Sequence, residues 1–512
     1  MIGKKRRGQE ELFLYCSLKD VVPDDYILKR VDKVLDLSWL RDEVRQCYCE
    51  DNGRPGIAPE AALRLMLAGC LLGIVHDRKL IREAQVNIAI RWFAGYRLQD
   101  TLPDHSSLTR IRQRWGEEKF RSVMVKVVEQ CVKAGIVGGK TIHCDATLIR
   151  ADVSWKSMTT EYVGEVLKEN ASGDDDGGAA QDDKPADKAG VGGGAATADG
   201  AQAAQEDKSG RKGRGRPKRR KQPKKRSLTD PDATLSTNDK RTRMEPSYKQ
   251  HTAVDDKAGV IVDVEVTTGE VNEGKRLLGQ VERVQEATGE AVETVTADKA
   301  YSSAENYSAL EALEIEAVIP PQSAPKHRKR QHIPASRFKY DPMHDVVRCV
   351  RGKQLVRKYR GSKAGVWIYA AERKDCGGCP LRQCCVPPTG RVRTVAIAEG
   401  QESLLRARRR WRRKTARQRR LYNRHRWRVE GVHGEGKTQH GLRRAVRRGL
   451  PNVSIQSYLT AIAMNLKRLA ALVFVIFRAL WRQTRACRWP QRDLMRARGD
   501  WAPKADFSVA AA

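Results

Sequence analysis

Three acidic residues far apart in the chain each close a short stretch of distinct character. Asp145 ends Thr141-Ile-His-Cys-Asp145, Asp298 ends Val295-Thr-Ala-Asp298 and Glu430 ends Trp427-Arg-Val-Glu430. The 512-residue chain around them is strongly basic, with 97 Lys and Arg against 63 Asp and Glu and a formal net charge of +34. Carboxylates that converge in such a chain call for a cation between them. Mg²⁺, or Mn²⁺ in its place, needs a cage of hard oxygens, and two such ions clamp the attacking and leaving oxygens of a phosphodiester. Around the third acid, Arg426, Glu430, His433 and Lys437 follow at spacings of 4, 3 and 4, which on a helix places them along one face. Glu430 would then ligate metal while Arg426 and Lys437 hold phosphate oxygens. Glu435 would point well away from Glu430. A plain solvated helix with i, i+4 ion pairs is the simpler alternative. Gly431, Gly434 and Gly436 argue against it, because such a helix has little use for glycine.

The elements that must position these acids are readable in outline. Residues 26–137 read as helical, with Pro59 placed for a first helical turn. Leu108, Ile111 and Trp115 make one apolar stripe, and Arg110 and Arg114 share another face, with Asp104, Ser106 or Ser107 available as cap. A helix with an apolar back and a basic front suits the second helix of a helix-turn-helix, and Arg110 and Arg114 are its candidate DNA contacts. From Lys140 the pattern turns to strands: 141–149, then 248–254 and 260–266 around the turn Asp255-Asp-Lys-Ala-Gly259, then 291–298 and 317–321. Val262, Val264 and Val266 alternate with Ile261, Asp263 and Glu265, the period of a half-buried strand. Ser302 with Glu305 three positions on predicts a helix start. Asp298 stands at the C-terminal end of its strand, where α/β sheets commonly carry ligand groups. His143, two residues before Asp145, points to the same side of the strand and reads as packed or solvated before it reads as part of a site.

Three stretches have other characters. Residues 169–226 hold Gly, Ala, Asp and Lys with almost no apolar bulk and read as a disordered insert. Its basic half contains Arg214-Gly-Arg-Pro217, similar to an AT-hook, whose Arg214 and Arg216 would enter a narrow A·T minor groove. Cys376 and Cys379 have metal-knuckle spacing, and with Cys384 and Cys349 they could hold a structural zinc. Arginine dominates residues 406–420, which suits contact with backbone phosphate.

The basic surplus favours a polyanion over an anionic membrane surface. No apolar stretch follows Lys4, Lys5, Arg6 and Arg7, so no signal peptide is expected. The most apolar run, residues 469–480, is broken by Arg478 and is too short to span a bilayer. The twelve cysteines are then expected to be reduced thiols in a cytosol.

The order Asp, Asp, Glu on strand, strand and helix resembles the DDE transposases of bacterial insertion sequences. In many of these the last acid lies in a Tyr-x2-Arg-x3-Glu-x6-Lys signature, which Arg426, Glu430 and Lys437 match. The tyrosine position holds Asn423, with Tyr422 beside it. Further similarity lies in Asp298-Lys-Ala-Tyr301, Leu228-Thr-Asp-Pro-Asp-Ala233, Tyr248-Lys-Gln-His251 and Gly441-Leu-Arg-Arg-Ala-Val-Arg-Arg-Gly449. Arg91-Trp-Phe-Ala-Gly95 and Pro103-Asp-His-Ser-Ser-Leu-Thr109 are similar to the helical domain that precedes the catalytic one. The resemblance implies an α/β fold, a ribonuclease H-like mixed sheet with flanking helices behind an all-helical N-terminal domain. It implies metal-dependent cleavage and strand transfer by Asp145, Asp298 and Glu430 with Mg²⁺ or Mn²⁺. The implied partner is double-stranded DNA, both the element's terminal repeats and the target, bound by a homodimer in the cytoplasm near the bacterial nucleoid. A cut-only nuclease of the same fold and an inactive DNA-binding regulator are the alternatives. The expected organisation is a helix-turn-helix-like domain at 1–138, a catalytic core at 139–168, 227–322 and 418–470, the disordered insert at 169–226, a Cys-containing basic insertion at 323–417 and a tail at 471–512.

Overall fold

The computed structural model describes residues 17–49, 56–154, 158–159, 226–235, 245–322, 333–361, 365–387 and 390–488. The AT-hook-like motif with Arg214 and Arg216 lies outside the described residues, as does the end of the tail beyond 488. Seven helices come first: α1 (Leu18–Val21), α2 (Ile27–Asp32), α3 (Leu40–Val44), α4 (Pro59–Leu71), α5 (Asp77–Val86), α6 (Ile88–Ala94) and α7 (His105–Lys133). Pro59 opens α4, where its missing N–H costs nothing. Asp104 caps α7 by accepting from the Ser106 N–H at 2.8 Å. Leu108, Ile111 and Trp115 are buried, and Arg110 and Arg114 are exposed. Residues 95–104 separate α6 from α7, a longer link than the roughly three or four residues of a helix-turn-helix. Gly116, at φ 68 and ψ 176, kinks α7 behind its basic first half.

The sheet is built on β1 (Thr141–Arg150). Short strands β2 (Met158–Thr159), β3 (Arg226–Ser227) and β4 (Thr234–Leu235) lead to β5 (Pro246–Asp255), which returns antiparallel to β1 and turns through Gly259 into β6 (Ile261–Thr268). β7 (Thr294–Ala297) and β8 (Glu316–Val318) add in parallel on the other side of β1. The path β6–β5–β1–β7–β8, three antiparallel strands extended by two parallel ones, is the expected ribonuclease H-like arrangement. β6 departs from the half-buried strand its alternation predicts, because it is buried almost throughout. Its acidic face is covered by α8 (Leu277–Thr288), whose Arg283 pairs with Asp263 at 2.9 Å and Glu265 at 2.8 Å. The next helix, α9 (Ala304–Ala312), is capped by Ser303, which accepts from the Asn306 N–H, and not by Ser302. The Ser302 hydroxyl instead donates to the Lys299 carbonyl.

A separate five-stranded antiparallel sheet carries the cysteines: β9 (Lys339–Asp341), β10 (Val346–Arg348), β11 (Gln354–Arg360), β12 (Val366–Ala371) and β13 (Thr394–Ala398), with α10 (Arg373–Gly377) and α11 (Arg382–Cys385) on the β12–β13 connection. The chain then returns through α12 (Gln401–Arg412), α13 (Ala416–Gln439) and the long α14 (Leu450–Arg488). α14 passes well beyond residue 470, where the core was expected to give way to a tail. No helix of the described residues is long and apolar enough to cross a membrane.

One apolar core runs from Leu28 and Leu63 through Phe120 to Val264, Val453 and Leu466, so the N-terminal helices and the sheet are packed as a unit through α14. A buried ion cluster pins the seam. Arg112 on α7 makes a two-bonded fork to Asp77 on α5 at 2.7 and 2.9 Å, and Arg447, from the segment before α14, reaches the same carboxylate. Asp77→Ala would leave Arg112 buried without its counter-charge, so urea denaturation should show a loss of about 3–5 kcal/mol. A loss under about 1 kcal/mol would show that the seam does not depend on this cluster.

Candidate active site

Strand register brings the two aspartates together. β1 and β7 run parallel with Cys144 opposite Ala297, so the next residue on each strand, Asp145 and Asp298, emerges side by side at the sheet's edge. Asp298 then caps the short helical turn Lys299–Tyr301 by accepting from the Ala300 N–H at 2.7 Å. A third carboxylate joins them from the turn Glu273–Arg276. Oxygens of Asp145, Glu273 and Asp298 all lie within 4.8 Å of one another. Asn306 on α9 ties the two loops, its amide donating to the Gly274 and Tyr301 carbonyls at 2.8 and 2.9 Å. The approach is close: a Cβ on Gly274 would meet the Ala300 carbonyl at 2.9 Å.

The electrostatics are those of crowded anions. Burial, followed by the charges of Asp298, Glu273 and Glu430, pushes the Asp145 carboxyl up to about 7. Asp298 is raised as well, mainly by burial. The phenol of Tyr301, fully buried and within reach of these carboxylates, has no hydrogen-bond partner among the described residues. Three hard-oxygen donors under mutual repulsion fit a divalent Mg²⁺ or Mn²⁺ better than a softer ion.

Helix α13 crosses this edge. Val429, Val432, His433 and Gly436 face inward, and His433 sets Nδ1 3.8 Å from Asp145 Oδ2 and Nε2 3.2 Å from the Thr252 hydroxyl. Burial and then Lys437 hold the His433 imidazole down to about 3, so its approach to Asp145 is a polar contact and not an ion pair. Lys437 is half-buried and near enough to feel Asp145. Glu430 is not in the trio. Its side chain is 66% exposed and pairs with Arg426 at 3.7 Å, although its charge reaches Asp145. The i, i+4 spacing on α13 puts it beside Arg426. Glu273 has a counter-charge within the chain as well, the buried Lys249 ammonium 3.3 Å from it.

Residues 16–114 match the family described as Transposase domain (DUF772), and residues 348–470 match Transposase DDE domain. Both matched segments are transposase domains, the second of the DDE type. Of the three acids first singled out, Glu430 falls in the matched DDE segment. A solved structure, the piggyBac transposase synaptic complex with hairpin DNA, aligns over 87% of this chain and 75% of its own at 9% identity and a TM-score of 0.29, too low to bear on function. No curated protein matches the chain.

Other residues of this transposase fall as follows. His143 is fully buried between Thr296, at 2.5 Å, and Asp256, at 2.9 Å. His425 on α13 shares the Thr296 hydroxyl at 3.1 Å, so this imidazole pair is packing beneath the site. Tyr422, displaced by one from the signature's tyrosine, still faces it: burial and then Asp298 raise its phenol. Glu435 points away, as expected, and anchors α13 to α14 through Lys467 at 2.5 Å and Arg468 at 3.3 Å. Several arginines of the 406–420 run are committed to ion pairs, Arg406 and Arg410 with Glu311 and Arg417 with Glu316. Cys384, expected as a zinc ligand, is exposed and donates to the Leu381 carbonyl, whereas Cys385 packs against the insertion's apolar core. Glu273 was missed by sequence reasoning. The usable signal was Lys249, which lies in the middle of a strand whose only other acidic or basic charge is Asp255 at its end and when buried requires an acid partner.

Proposed function

We propose that this transposase cleaves DNA strands at the ends of a bacterial insertion sequence and joins them to target DNA, using divalent metal held by Asp145, Asp298 and Glu430. The parallel register that sets Asp145 beside Asp298 carries this reading. Bound Mg²⁺ or Mn²⁺ would supply the charge that lowers the pKa of an attacking hydroxyl and stabilises the leaving oxygen. Asp145, Asp298 and Glu430 would hold the ion, which would take the place of a proton on Asp145 and of Arg426 beside Glu430. The neutral His433 holds the buried side of Asp145 against β5. Arg426, freed, and Lys437 take phosphate oxygens on the same face. Gly431 and Gly434 leave open space beside Glu430, since a Cβ at either would meet nothing within 4 Å. Each glycine costs the helix about 1 kcal/mol relative to alanine, which a backbone passing close to α13 would explain. The exposed Arg110 and Arg114 on α7 offer a second basic face to DNA. Joining two ends of one element calls for two such sites, hence a dimer on DNA near the nucleoid.

A strand-transfer assay with labelled terminal-repeat duplex, a plasmid target and Mg²⁺ tests the reading. Joined products are expected. Cut-only products would make the chain a nuclease, and retention without cleavage would make it a DNA-binding regulator. In the same assay Arg426→Ala and Lys437→Ala should each lower the salt dependence of DNA binding by about one counterion. An unchanged slope would remove that residue from the phosphate contacts.

A further inference from the structure

Between α13 and α14 the chain runs as a strap, residues 441–449, whose backbone is fixed along its length. The Arg150 N–H donates to the Arg443 carbonyl at 3.2 Å and the Ala445 N–H to the Arg150 carbonyl at 2.8 Å, so the strap lies against the end of β1. Gln456 of α14 accepts from the Val446 N–H at 2.9 Å and donates to the Gly441 and Arg444 carbonyls at 3.1 and 3.0 Å. At the near end Gly441, at φ 71, sits so close to Val75 that a Cβ would overlap it. At the far end Asp230 accepts from the Gly449 N–H at 3.2 Å and Asp232 from the Leu450 N–H at 2.8 Å.

The strap carries four arginines, and three are committed inside the protein. Arg444 pairs with Asp152 at 2.6 Å, Arg447 with the buried Asp77, and Arg448 donates to the Asp152 carbonyl at 3.1 Å. Arg150, alongside, pairs with Glu245 at 3.1 Å. Arg443 is exposed, and its guanidinium has no acid or carbonyl partner among the described residues. Its place is set by the residue before it: the Leu442 N–H donates to the Gly436 carbonyl at 2.9 Å, and Leu442 Cδ2 would lie 3.2 Å from a Cβ on Gly436. Arg443 and Lys437 are the next residues along those two touching segments. Burial first, and the Arg443 charge second, hold the Lys437 ammonium below its usual value. Two cations set side by side are what an anion between them relieves.

With Lys437 on phosphate, as the proposed function has it, we propose that Arg443 binds the DNA backbone beside it, and that the strap is the rigid mount that presents this guanidinium. A planar fork of donors suits a phosphate better than a point charge does. A mount fixed at both ends and in the middle spares the ordering that a mobile loop would need on binding. Because the neighbouring cations are neutralised within the protein, the strap offers one phosphate contact and not four.

Binding of a labelled terminal-repeat duplex by the full chain in EDTA, from about 50 to about 200 mM salt, tests this with no cleavage step. Arg443→Ala should lower the slope of log affinity against log salt by about one, Arg443→Lys should restore it, and the urea midpoint should not move in either. Arg444→Gln combined with Asp152→Asn removes an internal ion pair and should leave the slope as in wild type. In a series of duplexes each bearing one neutral methylphosphonate, one position should weaken wild type and weaken Arg443→Ala no further. A wild-type slope in Arg443→Ala, no rescue by Arg443→Lys, an equal loss in the Arg444 and Asp152 double variant, or no such phosphate position each overturns the proposal. A chain that behaves as expected here and joins no DNA sinks strand transfer alone. One that joins DNA with an unchanged Arg443→Ala slope sinks this contact alone.

Discussion

Asn in place of Asp145 or Asp298 should reduce cleavage on the order of a thousandfold or more, with affinity for terminal-repeat DNA within about twofold of wild type. Each change preserves the side chain's shape, and the variant at Asp298 keeps an oxygen to accept from the Ala300 N–H, while one anionic oxygen is removed from the group that would hold positive charge. The informative comparison is between the two glutamates. Glu430 is exposed and held by Arg426 alone among the contacts described above, so Glu430→Gln should leave stability unchanged and abolish cleavage. Glu273 is buried against Lys249, which also donates to the Val271 carbonyl at 2.8 Å. Glu273→Gln should therefore cost about 3 kcal/mol of stability by leaving the ammonium uncompensated, and residual cleavage should track the folded fraction. Kinetics and urea denaturation on the same four variants separate the roles. Full cleavage by Glu430→Gln with none by a folded Glu273→Gln would transfer the third ligand to Glu273.

What the sequence disclosed and what it withheld divide along physical lines. Local patterns carried far: the strand through Asp145, the hairpin through Gly259, the strand leading to Asp298 and the stripe behind Arg110 and Arg114 all follow from side-chain period and turn chemistry. Partnerships between distant elements did not. Asp263 and Glu265 look like the wet side of a strand until Arg283 of α8 is placed on them. Arg112 and Arg447 look like two more cations for DNA, yet they meet Asp77 inside the seam that fuses the N-terminal helices to the sheet. Whether Cys384 or Cys385 packs on the insertion's core turns on which way one short helix faces, and adjacent residues on a helix point about 100° apart. Glu430 belongs to a third kind: its position on the exposed face of α13 was legible, but its pairing with Arg426, outside the trio of Asp145, Glu273 and Asp298, was not.

The crowded carboxyl of Asp145 should give a pH-dependent stability that metal reverses. The Asp145 carboxyl rises from 3.8 to about 7 in the fold, through burial first and neighbouring carboxylates second. Between those values the folded chain holds a proton that the unfolded chain has released, so stability falls as pH rises through this window, by roughly 4 kcal/mol in all. Four buried imidazoles act oppositely. His251, His425 and His433 are lowered to about 3 and His143 is lowered too, each chiefly by burial, so they add stability as pH rises toward their unfolded value near 6.5. The raw pH profile mixes both signs, and the Asp145 contribution must be read as a difference. In EDTA, Asp145→Asn should gain on wild type steadily from about pH 4 to about pH 7 and level off above it, because the imidazole contributions cancel between the two proteins. Adding Mg²⁺ at pH 8 should restore stability to wild type and do nothing for Asp145→Asn, since an ion that binds only the folded form stabilises it in proportion to the logarithm of its excess over Kd. At pH 5 the same Mg²⁺ should act weakly, as it must first displace the proton. Parallel wild-type and Asp145→Asn profiles in EDTA, or an equal Mg²⁺ effect on both, would mean that Asp145 is not the buried, charge-crowded ligand on which phosphodiester chemistry at this edge of the sheet depends.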